Sequence, residues 1–142
     1  MCIRDSSGKA KGKLTGGNLT LLAAMAGTDF NWKVKNKLVF IEDIGERPYR
    51  IDRMLTQLLQ STDLHKAAGI ILVVFEDCQA KEGDRSLSLM DTLKDRLGHL
   101  DIPIIYGLSF GHIKNHFIMP IGVEAEMNTH DMSLKLLEES VS

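Results

Sequence analysis

The sequence predicts an α/β domain built on a mixed sheet with flanking helices. Three observations predict it. Short apolar runs of strand character recur at residues 37–41 (KLVFI), 69–75 (GIILVVF) and 102–106 (IPIIY). Amphipathic stripes of helical spacing lie between them. The tail then alternates apolar and polar residues, which suits antiparallel strands. Strand, helix, strand, helix, strand and further strands is the order of an α/β chain.

Residues 7–13 are rich in Gly, Lys and Ser and read as a linker or the frayed lead-in to a strand. Gly16-Gly17-Asn18 is a turn whose Asn18 can cap a short helix. Leu19, Leu22, Ala23 and Ala26 follow at helical spacing, and Gly27 suits the stop. The run 37–41 ends at the acidic pair Glu42-Asp43. Pro48 sits where a first helical turn tolerates proline, and Ile51, Met54, Leu55, Leu58 and Leu59 form a continuous apolar stripe. The run 69–75 is apolar on both faces, as a central strand covered by helices would be. Leu89, Met90, Leu93 and Leu97 mark a second amphipathic helix closed by Gly98. Pro103 fits the start of its strand or an edge. A strand is expected within 117–126. Met132, Leu134 and Leu136 suit a closing hairpin, with a helix over 133–139 as the alternative.

At 142 residues the chain can form one domain that buries roughly 70% of its unfolded surface. Hydrophobic residues make up 44% and charged residues 25%, which argues against disorder. No apolar run approaches the ~18 residues of a membrane helix. With 17 basic and 19 acidic residues the net charge is −2, so no nucleic-acid footprint is present. Cys2 and Cys78 cannot form a disulfide framework. Residues 1–6 (MCIRDS), back-translated, read as the end of a transposon used to fragment DNA for sequencing. They are expected to be adapter-derived, leaving 7–142 as the domain.

Functional groups in open α/β sheets gather at the carboxyl ends of strands. Glu42 follows one such strand and His112 another, and a carboxylate beside an imidazole fixes its tautomer and stabilises the imidazolium. Asp43, Glu46 and Asp77 compete for that role, and solvated acids beside a loop histidine are the plain alternative. Residues 107–111 (GLSFG) satisfy G-x-S-x-G, yet no amphipathic helix follows Ser109. The remaining chain holds His116 and His130 but no room for two more strand–helix units, so Ser109 reads as a decoy. His112 and His116 have zinc-ligand spacing without an H-E-x-x-H, between Gly111 and Pro120, which argues against a metal site. Gly16-Gly17 alone makes no phosphate loop. Glu76 and Asp77 should raise the Cys78 thiol and keep it unreactive. Asp43, Arg47, Arg50, Asp52 and Arg53 read as a solvated helix start, whose arginines could also bind a substrate carboxylate.

Residues 40–55 (FIEDIGERPYRIDRML) resemble the C-terminal domain of the LD-carboxypeptidases, the serine peptidase family that also contains the microcin C immunity peptidases. Gly16-Gly17-Asn18-Leu19, Tyr106-Gly107 with Phe110-Gly111-His112, and Pro120-Ile121-Gly122 with Ala125-Glu126 agree in the same order, over about residues 12–142. The resemblance implies a swivelling β/β/α architecture and a Ser-Glu-His triad split between two domains. Glu42 matches the catalytic glutamate and His112 the histidine. The serine belongs to an N-terminal domain absent from this chain, and Ser109 does not match it. The implied reaction is release of terminal D-alanine from murein tetrapeptides during peptidoglycan recycling. It is cytoplasmic, commonly homodimeric, and uses no metal or organic cofactor. The chain alone is expected to be inactive, with an apolar patch near Glu42 and His112 where the other domain would pack. A microcin C immunity-type peptidase acting on an acyl-sulfamoyl adenylate, and a noncatalytic α/β binding module, are the rival readings.

Overall fold

The computed structural model describes residue 3 and residues 8–73, 75–108 and 118–139. Among the described residues, six strands and three α-helices follow one another as β1 (Lys9–Asn18), α1 (Leu19–Met25), β2 (Leu38–Glu42), α2 (Pro48–Ser61), β3 (Gly69–Val73), α3 (Leu89–Leu97), β4 (Ile104–Leu108), β5 (Glu124–Asn128) and β6 (Ser133–Leu136). They form one mixed sheet in the order β4-β3-β2-β1-β5-β6. The expected α/β class holds.

β1 is the pivot. Its second half runs parallel to β2, from Leu14↔Leu38 to Asn18↔Glu42. Its first half runs antiparallel to β5, from Lys9↔Asn128 to Lys13↔Glu124. Of the two readings of this stretch, linker or lead-in to a strand, strand holds from Lys9 on, because β5 supplies partners from the far end of the chain. Its lysines face outward, and Lys9 and Lys11 pair with Glu126 at 3.9 and 3.7 Å. Close approach at the crossing needs glycine: a Cβ on Gly16 would stand 2.0 Å from the Phe40 carbonyl oxygen.

The helices form where the stripes lie. Asn18 accepts the Leu21 N–H and caps α1. Pro48 opens α2, which buries Ile51, Met54, Leu55 and Leu58. Ser88 caps α3, and Gly98 ends it. All three helices pack on one face of the sheet, against Val39, Ile41, Ile70, Leu72 and Ile104. Strand alternation sends Leu38, Phe40, Ile71, Val73 and Ile105 to the other face. There the cover is Ala125 and Met127 of β5, with Met119 and Val123, rather than the helices expected over β3. The hairpin β5–β6 runs from Ala125↔Leu136 to Asn128↔Ser133, so the tail closes as strand and not as helix. Among the described residues, no helix is long and apolar enough to cross a membrane.

Candidate functional site

Parallel pairing of β1 through β4 brings their carboxyl ends to one edge, at Asn18, Glu42, Val73 and Leu108. Glu42 is the last residue of β2, opposite Asn18 in register and only 6% exposed. Strand alternation carries its side chain to the face of Phe40, away from the helices. The sequence predicted an acid at this strand end, and the fold makes it a buried one. His112 follows the end of β4 by four residues in sequence. It lies outside the described residues, as do Ser109 and His116.

Asp43 turns the other way. Its carboxylate accepts from Asn18 Nδ2 at 3.1 Å, from the Thr20 N–H at 3.0 Å and from Thr20 Oγ1 at 2.8 Å. The N–H of Ile44 donates to the same carboxylate at 2.8 Å. At 2% exposure it is no member of a solvated charge cluster, which corrects the sequence reading. Its partners other than Ile44 lie more than 20 residues upstream, so only the N-x-T pattern at Asn18 and Thr20 could have hinted at it.

The other competing acids are placed differently. The loop after β2 is stitched to the loop after β3 by the Ile44↔Glu76 bridge and by the Gly45 N–H donating to the Glu76 carbonyl at 2.9 Å. Glu46 sits 3.5 Å from the Arg50 guanidinium. Asp77 is exposed on a left-handed turn at φ 50°. Cys78 is fully buried and donates its thiol to the Glu76 carbonyl at 3.2 Å. Burial pushes that thiol up to about 11, with the Asp43 and Glu46 charges adding and the backbone N–H groups of Glu46 and Gly45 opposing. The thiol is therefore unreactive as expected, but chiefly through burial, and the contributing carboxylates are not Glu76 and Asp77.

Arg50, Arg96 and Arg47 pair with different carboxylates, Arg50 with Glu46. Arg96 of α3 grips Asp52 of α2 with Nε at 2.7 Å and Nη2 at 3.2 Å. Arg47 pairs with Asp84 at 2.5 Å. A cleft of about 280 Å³ opens beside that pair, lined by Arg47, Tyr49, Asp84, Arg85 and Ser86. Two guanidiniums against one carboxylate leave it net cationic, fit for an anionic group. Exposed apolar side chains also stand along this edge, with Leu21, Ile44, Tyr49 and Leu87 between 45% and 64% exposed. Among the described residues, no group of three or more His, Cys, Asp or Glu side chains could hold a metal ion.

Relatives share both sequence and fold. A probable murein peptide carboxypeptidase of Bacillus subtilis is 43% identical over 135 residues, covering 95% of this chain and 42% of that protein. The murein tetrapeptide carboxypeptidase of Pseudomonas aeruginosa is 36% identical over 118 residues, covering 82% and 38%. The crystal structure of muramoyltetrapeptide carboxypeptidase from Oxalobacter formigenes superposes with a TM-score of 0.82 at 35% identity, over 94% of this chain and 46% of that one. The chain thus spans less than half the length of these proteins. Residues 11–127 match the model of the LD-carboxypeptidase C-terminal domain, and the chain belongs to that family.

Proposed function

We propose that this chain supplies Glu42 and His112 to the Ser-Glu-His triad of a serine LD-carboxypeptidase that releases terminal D-alanine from murein tetrapeptides. The observation that carries the reading is the burial of Glu42 at the carboxyl edge of the sheet, two strands from the end of β4. Asp43 and Glu46 are engaged by hydrogen bonds or an ion pair, and Asp77 is exposed.

In this mechanism His112 takes the proton of the serine hydroxyl as its oxygen attacks the carbonyl of the L,D bond. It returns that proton to the departing D-alanine amine, and water then releases the acyl group. Glu42 orients the imidazole and offsets the charge it gains. The nucleophile and the oxyanion donors belong to a further domain. The length of the relatives and the exposed Leu21, Ile44, Tyr49 and Leu87 support that placement. The cleft at Arg47 and Arg85 would hold a carboxylate of the peptide. Cytoplasmic action and a homodimeric whole protein accompany this reading, supported by the resemblance alone.

The test joins this chain to the part of the Bacillus subtilis relative that it does not match. The chimera should release D-alanine from a murein tetrapeptide, and Glu42→Gln or His112→Ala should lower kcat at least about 100-fold. Full activity in both variants overturns the reading. Release by the 142-residue chain alone that depends on Ser109 overturns it too.

A likeness to the microcin C7 self-immunity protein MccF of Escherichia coli, 26% identical over 99% of this chain, favours a second reading. A structure of MccF is a complex with aspartyl sulfamoyl adenosine. Cleavage of that compound without D-alanine release would move the assignment to an immunity-type peptidase. Binding of either compound without turnover would move it to a binding module.

A further inference from the structure

Two carboxylates adjacent in sequence leave the end of β2 in opposite directions, and only one of them belongs to the triad. Glu42 is the last rung of the ladder. The pairing of β2 with β3 stops one residue earlier, at Ile41↔Leu72, while that of β1 with β2 extends to Asn18↔Glu42. Beyond it the chain enters a loop that contains Gly45 in a left-handed conformation at φ 70°. A side chain on such a strand end swings with the loop unless something holds the loop.

Asp43 holds it. Its carboxylate gathers the Asn18 amide from the end of β1, the Thr20 N–H and hydroxyl from the first turn of α1, and the Ile44 N–H from the loop itself. These donors come from three elements that meet at Asp43, the residue after Glu42. The Ile44↔Glu76 bridge anchors the next residue to the loop after β3. We infer that Asp43 is a positioning residue. Its buried carboxylate locks the end of β2 against β1 and α1, and so fixes the direction in which Glu42 presents its carboxylate to His112. The inference rests on the triad reading for Glu42. Aspartate suits the task because its carboxylate only accepts hydrogen bonds and its short side chain cannot wander. Asparagine would turn an amide NH2 toward N–H donors.

The experiment uses the chimera described above with three variants. Asp43→Asn should lower kcat about 100-fold with KM unchanged, the signature of a misplaced group rather than of weakened binding. Thr20→Val, which deletes one donor to Asp43, should lower kcat less and in the same pattern. Glu42→Gln serves as the control. If it keeps full kcat the triad reading fails and this inference with it. If it is inactive while Asp43→Asn keeps full kcat per folded molecule and merely melts lower, Asp43 is structural and only the inference falls. Should Asp43→Asn fail to fold, the same split between kcat and melting temperature in Thr20→Val decides.

A second measurement needs no turnover and uses the 142-residue chain. The Glu42 carboxyl carbon, labelled with carbon-13, should give one sharp NMR resonance in the wild type. In Thr20→Val and in a folded Asp43→Asn it should be broadened or doubled. An unchanged resonance in the folded variants overturns the inference.

Discussion

The two faces of the sheet are covered by different means. On one, three helices lay continuous stripes of Leu, Ile and Met onto the strands. On the other, a two-stranded arm brings Ala125 and Met127 over Phe40, Ile71 and Val73. The helix face closes over residues that are near neighbours in sequence, and it holds the buried Asp43 and Cys78. The arm face closes over residues from opposite ends of the chain, and it receives Glu42. The adjacent acids Glu42 and Asp43 fall on opposite sides of this division. The two differently covered faces thus share one strand, β2.

If the helix face dominates stability, Leu55→Ala should cost most. Leu55 is fully buried in α2, and the cavity left should cost about 4 kcal/mol in urea unfolding. A loss under about 1 kcal/mol would mean that the face collapses freely and the contrast is false.

Cys78 tests the same face through pH. Its thiol is raised in the fold from 9.0 to about 11, so the stability that it contributes is complete below pH 9 and is lost as pH rises from 9 toward 11. That loss should reach at most about 3 kcal/mol. Cys78→Ala should flatten the slope of stability over this window, whatever it costs at neutral pH. An equal slope in wild type and variant would show the thiol to be solvated.

The arm face should give the smallest response. A Cβ on Gly69 would stand 2.4 Å from the Met127 sulfur, the far end of a flexible side chain. Gly69→Ala should cost about 1–2 kcal/mol. Combined with Met127→Ala it should cost less than the sum of the two singles. Strict additivity would show that β5 does not press on β3.

Much of this was legible in the sequence, and the pattern of misses is physical. The stripe from Ile51 to Leu58, the proline at position 48 and the glycine at 98 declare α2 and α3 through spacing alone. The place of Glu42 at a strand end was legible because the apolar run stops at the acidic pair. What escaped was non-local. Residues 9–13 could be read only as linker or the lead-in to a strand, since their partners lie in β5. Asp43 read as solvated because the groups that bury it come from β1 and α1. The arm could not be told from a helical cover, since either one makes β3 apolar on both faces.

The divided pairing of β1 has a consequence in time. Gly8 and Thr129 bond across 121 positions of chain, so the sheet cannot be completed until β5 exists. During synthesis the second half of β1 can pair with β2 as soon as that strand emerges, while the first half waits with open N–H and C=O groups. An edge left open so long is a template for other chains. Lys9, Lys11 and Lys13 stand along it, three like charges that repel a second copy until Glu124 and Glu126 arrive on the strand made for it.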